Sequence, residues 1–482
     1  MKGLFTGSLL QFAAILFAAF LILIVNREFG AADNGDFSRY MDRYASKPID
    51  ATQLKPPAFS DEWKARFFEQ PIVYWSPEIE NARAPWFTSA SLFWTAGDKL
   101  GDIFFSSDVF NMRYVGLPFF LMQFFGLFYL LRRLSPLSAG AALMLLGAFG
   151  IMTDARITAF YNSFYAESVP ILALFLFFAF FAVEVYRRQS ESSRSAGKGL
   201  FVCATLIMLL AAIFAKRQYL YFVGPALVFV FYYVHEEFRT TWKFKLILIG
   251  GFAIALLAAI AAITSTQRVG SPEEVSASRF TSYHALYFGL LPHSKHPVQL
   301  LEKLGLPADS ATLIGKSAWN AASMKLVADQ PEINVKTFLR AIALDPKAFA
   351  GSILQNAGEV GNFAIPLGMT PGMRPGFPPA LISGLSTGFT GIAGVGLFGG
   401  AILVALALIA FPVGVAAKNR FPSRILALML VLIVVSDVVI STFDGQQEAR
   451  KHVLVASIAV VLIVIHGLAS IAGMVRRDQS PV

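Results

Sequence analysis

The sequence predicts an all-α polytopic membrane protein with about ten transmembrane helices and two large outer-face loops that contain short helices. Three observations carry this. Hydrophobic residues make up 56% of the 482 residues and charged ones only 15%, and the mean hydropathy of +0.59 lies far outside the soluble range. Uncharged runs of about 17 residues or more recur, each long enough to cross a hydrocarbon layer about 30 Å thick at about 1.5 Å per residue. Basic residues collect in alternate short loops.

The first span is expected near 9–25, in a stretch without charge between Lys2 and Arg27. The stretch is too long for a signal-peptide core and shows no small-residue cleavage site, so 1–26 is read as a retained first transmembrane helix. Residues 27–113 form a first outer loop with juxtamembrane helices and an acidic motif. It carries Trp63, Trp75, Trp86 and Trp94 with Tyr40, Tyr44 and Tyr74, rings that favour the headgroup level. Spans then follow near 115–131, 137–153, 168–183, 199–215, 218–234 and 246–263, so that 114–267 holds transmembrane helices 2–7.

Residues 268–376 form a large outer helical loop, with helical pieces expected at 296–304, 311–328, 335–344 and 346–359. Asp345 is placed as an N-cap with Pro346 at the first helical position. The remainder, 377–482, holds transmembrane helices 8–10 near 391–415, 425–440 and 453–475 and a short cytoplasmic tail. Its opening stretch, 377–417, is uncharged, glycine-rich and longer than one crossing. It accommodates either one span or a span plus a re-entrant segment.

Short-loop charges set the orientation. Arg132 and Arg133, then Arg187, Arg188, Arg194 and Lys198, then Arg239, Lys243 and Lys245, then Lys418, Arg420 and Arg424, and finally Arg476 and Arg477 fall on one side with Lys2. The positive-inside rule makes that side cytoplasmic, with both termini inside. The formal charge of +9 is mostly this topological signal, and no nucleic-acid partner is expected. A single cysteine, Cys203, lies in a predicted span and rules out an intramolecular disulfide. Cys clusters and His-x-x-x-His spacing are absent from the sequence, so no metal ligand is assigned.

Four polar segments, distant in sequence, share the outer membrane depth. Asp33-Asn34-Gly35-Asp36-Phe37 follows the first span. Asp154-Ala155-Arg156 leads to Tyr161, Asn162, Tyr165 and Glu167 between the third and fourth spans. Lys216-Arg217-Gln218-Tyr219 is a basic pair against the charge bias. Asp444 to His452, with Glu448, Arg450 and Lys451, lies between the ninth and tenth spans. Convergence of the four would make a site with carboxylates, cations and aromatic walls.

Each segment also has a plainer explanation. An Asn-Gly turn with a capping aspartate starts many juxtamembrane helices. Asp154, Arg156 and Glu167 also fit a solvated loop with a weak surface ion pair. Lys216, Arg217, Arg450, Lys451 and His452 fit snorkelling to the interface, and Asp437 fits a water-facing position near the end of its span. His466, alone in an apolar helix, reads as a packing residue with a satisfied nitrogen.

The order of these elements resembles the GT-C superfamily of integral-membrane glycosyltransferases, nearest to bacterial glycan-biosynthesis hexose transferases. One N-terminal span, a long first outer loop opening with an acidic motif, further acidic residues in the next outer loop, and a late Asp-Gly-x-x-Glu-x-x-x-His segment carry the resemblance. It implies sugar transfer, inverting at the anomeric carbon, from a polyprenyl-phosphate donor to a cell-envelope glycan or glycolipid. The setting implied is the periplasmic face of a bacterial inner membrane, with membrane lipid, the lipid-linked sugar and the acceptor as partners.

Carried over, the catalytic carboxylate of the first loop matches Asp36, with Asp33 as the second candidate, and Glu167 and Asp154 match the acidic loop. Carrier-phosphate cations correspond to Lys216, Arg217 or Arg450, with Arg156, Glu448, His452, Tyr161 and Tyr165 as further substrate-binding candidates. An adjacent acidic pair in the first loop is missing, so no cofactor beyond the lipid donor is assigned and metal dependence stays open. A carboxylate can take the acceptor proton, and arginine or lysine can hold the leaving phosphate where charge develops. Three other classes remain in view: a polyprenyl-linked glycan polymerase or ligase, a lipid-glycan transporter or flippase, for which internal repeats and mid-membrane charges are expected, and a purely structural membrane scaffold.

Overall fold

The computed structural model describes residues 44, 47–48, 74–77, 88–134, 138–152, 154–186, 196–237, 241–266, 272–318, 320–363, 394–412, 415–443 and 449–475. In the first outer loop the expectation of helices alone is corrected. Strands β1 (Lys47–Pro48), β2 (Tyr74–Ser76) and, after helix α1 (Ala90–Phe104), β3 (Phe110–Asn111) form a three-stranded sheet in the order β1-β2-β3. Both pairings are antiparallel, with Pro48 opposite Trp75 and Trp75 opposite Phe110. Aromatic side chains favour the half-buried face of a sheet, and this face packs inward: Trp75 and Phe110 are buried.

The membrane helices begin with α2 (Leu117–Leu134), α3 (Ala139–Met152), α4 (Ser168–Tyr186), α5 (Ala196–Ile213), α6 (Val223–Glu237) and α7 (Trp242–Thr266). The outer helical unit follows with α8 (Pro272–Tyr283), α9 (Pro297–Leu304), α10 (Ala321–Asp329), α11 (Val335–Leu344) and α12 (Pro346–Gly358). The chain returns through α13 (Val395–Ala410), α14 (Arg420–Ser441) and α15 (Leu454–Val475).

Among the described residues, five helices are long and apolar enough to cross a membrane: Met112–Leu134, Ser168–Tyr186, Trp242–Ala261, Arg420–Ser441 and Leu454–Met474. Ala139–Met152, Lys198–Ile213 and Val395–Ala410 are apolar but shorter. The expected span at 218–234 begins instead with a 3₁₀ segment, Arg217–Phe222, which leaves α6 only 15 residues. The expected first span at 9–25 lies outside the described residues.

Helix α4 is apolar all round, as a helix at the centre of a bundle must be, and nearly all of it is buried. It packs against α2, α3, α5, α14 and α15. Helix α7 has the same apolar character but is almost wholly exposed, facing what in a membrane is lipid. At one end of the bundle, Tyr186 Oη meets His466 Nδ1 at 2.9 Å and Ser470 Oγ at 3.0 Å, while His466 Nε2 meets Ser423 Oγ at 3.0 Å. His466 is thus a packing residue joining α4, α14 and α15, as its apolar setting suggests. Glu184 pairs with Lys198 at 3.4 Å at the same end.

The outer helical unit has its own core, built on Tyr283, Tyr287, Leu291, Leu301, Phe338 and Ala348. Its caps follow the sequence: Asp345 Oδ1 accepts from the Ala348 N–H at 3.0 Å, and Asn334 Oδ1 accepts from Lys336 and Thr337. Phe443, just past the end of α14, meets Phe338 edge-on at 5.2 Å and Phe349 at 5.9 Å. This contact joins the outer unit to the bundle end opposite His466.

Candidate functional site

That end is where α2, α4 and α15 begin and α3, α5 and α14 finish, so antiparallel neighbours deliver the polar segments of separate loops to one level. Glu167 immediately precedes α4, where the helix dipole favours a negative charge. Lys216 follows α5 and brings its Nζ to 3.4 Å from Glu167 Oε1. The Glu167 residue is 1% exposed. A solvated loop with a surface ion pair is therefore corrected to a buried acid.

Asp437 is equally buried, at 1% exposure, and does not face water. Its Oδ1 accepts from the Tyr221 hydroxyl at 2.9 Å and its Oδ2 from the Ala456 N–H at 2.8 Å. Ala456 lies in the first turn of α15, whose amide hydrogens have no partner within the helix. Asp437 therefore caps a neighbouring helix from the last two turns of α14. It also lies close enough to feel the charges of Glu167 and Lys216.

Lys451 belongs to a single helical turn, Ala449–His452, just ahead of α15. It is 3% exposed, and its Nζ sits over the Tyr165 ring at 4.6 Å from the centroid. A cation over a ring in a dehydrated place gains more than one at the surface. His452 beside it is buried, and Ser441 Oγ donates to its carbonyl at 3.0 Å. Snorkelling of Lys451 and His452 to water is thereby corrected.

Arg450 points elsewhere. Its Nε donates to Glu359 Oε2 at 2.8 Å, and the same oxygen accepts from Asn362 Nδ2 at 2.9 Å. The pair is partly exposed and ties the end of α12 to the turn before α15. Arg217 is exposed and Arg156 half-buried.

The segment between α3 and α4 is folded inward. Asp154 is buried and caps the turn Ala155–Thr158, its Oδ1 accepting from the Arg156 N–H at 2.8 Å. Tyr161 stacks on Phe119 at 5.4 Å with 9° between planes and meets Phe120 edge-on at 5.3 Å. Its ring is thus enclosed, and burial holds its phenol protonated far above the ordinary range. Asn162 rests against Gly116, where a Cβ would lie 2.2 Å from Asn162 Oδ1.

Phe164 anchors this segment to the first outer loop. It stacks with Tyr44 at 5.5 Å and takes Trp94 edge-on at 5.1 Å. Tyr44 in turn bonds Thr95 Oγ1 at 3.0 Å. Asp33, Asp36 and Glu448 lie outside the described residues. In the second outer loop, His284 is buried and its Nε2 accepts from the Ala318 N–H at 2.8 Å. Among the described residues, no group of three or more His, Cys, Asp or Glu side chains is arranged to hold a metal ion.

Sequence reasoning placed Glu167, Lys216 and Tyr165 at this site and took Arg450 and His452 from the last segment rather than Lys451. It did not select Asp437 or Tyr221. A lone aspartate in an otherwise apolar helix was the available signal for Asp437, since such residues face a bundle interior. Tyr221 carried none, because its partner is 216 positions away.

The model of the family described as "YfdI N-terminal transmembrane domain" matches residues 2–343, more than half of the chain. The chain belongs to this family. The family's transmembrane domain thus covers Asp33, Asp36, Asp154, Glu167 and Lys216, while Asp437 and Lys451 lie beyond the match. The chain is accordingly a multi-pass membrane protein, and the resemblance read from its sequence holds as far as that membrane domain. No curated protein matches it. A search of solved structures finds the crystal structure of ArnT from Cupriavidus metallidurans in the apo state, 12% identical, covering 98% of this chain and 78% of that chain. With a TM-score of 0.29, that likeness carries no argument about fold or chemistry.

Proposed function

We propose that the protein is a GT-C-type membrane glycosyltransferase that moves a sugar from a polyprenyl-phosphate donor to a cell-envelope glycan or glycolipid on the periplasmic side of the inner membrane. One observation carries this reading: two buried carboxylates and two cations from four separate segments gather at one end of the helix bundle. They are Glu167 beside Lys216 at 3.4 Å, Asp437 held by Tyr221 at 2.9 Å, and Lys451 over Tyr165 at 4.6 Å. Buried charge of this kind is costly in an apolar protein and marks function by default. The positive-inside rule assigns this end to the outer face.

In the reaction, the acceptor hydroxyl oxygen attacks the anomeric carbon and loses its proton to a carboxylate. The bond from that carbon to the phosphate oxygen breaks, and polyprenyl phosphate leaves with the electron pair. Lys216 and Lys451 stabilise the negative charge that develops on the leaving phosphate. Asp36 is the proposed base, with Asp33 as second candidate. Tyr44, eight residues after Asp36, packs on Phe164, three residues before Glu167. This contact joins the loop that carries Asp36 to the segment that carries Glu167. Arg450, engaged by Glu359, is a weaker candidate for the phosphate than Lys451.

The test compares wild type with Asp36→Asn in membranes supplied with polyprenyl-phosphate hexoses, following consumption of the lipid donor at matched expression. Loss of turnover supports Asp36 as the base. Normal turnover removes it, and absence of donor consumption by the wild type removes the transferase reading.

A further inference from the structure

Three side chains in the segments that carry Glu167 and Lys216 have buried polar atoms that no group among the described residues satisfies. They are the hydroxyl of Tyr161, both amide atoms of Asn162, and both amide atoms of Gln218. All three residues are more than nine-tenths buried. Asn162 lies five residues before Glu167 and Gln218 two residues after Lys216, so both belong to the segments that bring the ion pair together. Folding buries polar groups with partners, and five unmet atoms in the two segments that the Glu167–Lys216 contact joins call for one.

The chemistry of the unmet atoms narrows what that partner is. Each amide presents an acceptor oxygen together with an NH₂ donor, and the Tyr161 hydroxyl, kept protonated by burial, can do both. A phosphate accepts only and would be repelled by Asn162 Oδ1 and Gln218 Oε1. A hydroxyl donates and accepts, and suits all three. Resting on the transferase reading above, we infer that Tyr161, Asn162 and Gln218 form the subsite that binds the hydroxyl groups of the transferred sugar, beside the cations that hold its phosphate. Tyr161 then serves through its hydroxyl and not through its ring, whose surroundings are filled by Phe119 and Phe120.

The test uses full-length protein in lipid nanodiscs and two probes: undecaprenyl phosphate, and undecaprenyl phosphate carrying glucose, galactose or mannose in turn. Wild type binds one of the sugar-bearing lipids more tightly than the bare lipid. Asn162→Leu and Gln218→Met, which replace unmet polar atoms by apolar ones of similar size, lose about tenfold or more of that preference. They bind the bare lipid as wild type does, and their ligand-free melting temperature is equal or higher. Tyr161→Phe removes one oxygen only and carries the same readout should an amide variant not fold.

If the variants keep the sugar preference, whatever their melting temperature, the subsite is wrong and the transferase reading stands. If wild type never distinguishes sugar-bearing from bare lipid, both fall.

Discussion

Lys216 Nζ lies 3.4 Å from Glu167 Oε1, and the two side chains are unequally buried, 31% exposed for the lysine against 2% for the glutamate. The acid relies on the cation and on the start of α4, while the cation keeps access to whatever approaches from the open side. That asymmetry is what a phosphate-holding lysine requires. Removing the lysine leaves a buried carboxylate with less compensation. Lys216→Met is expected to destabilise the protein by roughly 1–3 kcal/mol, less than a fully buried pair because the lysine is partly solvated. Glu167→Gln, which keeps the shape, is expected to cost less stability. Both variants are expected to lower donor turnover by about 10²-fold or more, as losing a group aimed at developing charge does. Thermal melts alongside donor consumption check this, and a fully active Lys216→Met would remove the lysine from the phosphate site.

Gly116 supplies room for Asn162. A Cβ there would stand 2.2 Å from Asn162 Oδ1 and 3.0 Å from the Tyr161 carbonyl. Gly116→Ala is expected to push the 161–162 segment out of place at a cost of about 1–3 kcal/mol. The change should appear as a lower melting temperature together with reduced turnover, whereas Gly224→Ala, with open space around it, should do neither.

Phe164 is the pin between the first outer loop and the site. Its ring contacts Tyr44, Trp94 and Phe110. Phe164→Ala is expected to cost about 3–5 kcal/mol and to raise protease cleavage within residues 27–87, which limited proteolysis followed by mass spectrometry would read. Phe164→Tyr is expected to cost far less, since the ring contacts remain.

The Glu359–Arg450 pair is partly exposed, 31% and 44%, and contributes little to stability. Glu359→Gln is expected to change stability by less than about 1 kcal/mol. Turnover in that variant should become more sensitive to salt as Arg450 loses the Glu359 carboxylate. Equal salt dependence in both proteins would show that Arg450 has no electrostatic part in the reaction.

Tyr287 in the outer helical unit is pushed up to about 12, chiefly by burial and against the opposing bond to Ser310 Oγ at 2.7 Å. A phenol whose folded value exceeds its unfolded one binds its proton more tightly when folded. The stability it contributes is full below about pH 10 and is lost as pH rises through about 12. The melting temperature is therefore expected to fall across that window. Tyr287→Phe should flatten the fall, and an unchanged alkaline profile in that variant would contradict the assignment.

The helical segments were legible because lipid and bundle interior demand the same thing of sequence, an uncharged run of a given length. The helix cap at Asp345 was legible because its partner is three residues away. Strand pairing in the first outer loop was not, since strands of two or three residues have too little periodicity to detect. Nor was the division of labour in the last segment, where Arg450 turns to Glu359 and Lys451 to Tyr165. Neighbouring cations in a sequence look alike until the turn that carries them points them apart.

By itself, the sequence determined that this chain lives in a membrane, which residues are apolar enough to be its helices, and where its charges are rationed. Hydrophobic transfer is a property of each local stretch and needs no knowledge of neighbours. Only the tertiary structure decided that Glu167 meets Lys216, that Asp437 turns inward to Tyr221 and the start of α15, and that Tyr161, Asn162 and Gln218 are left with unmet polar atoms. Those facts depend on which helices lie side by side. A hydrogen bond acts over about 3 Å, and packing alone brings residues tens or hundreds of positions apart to that distance.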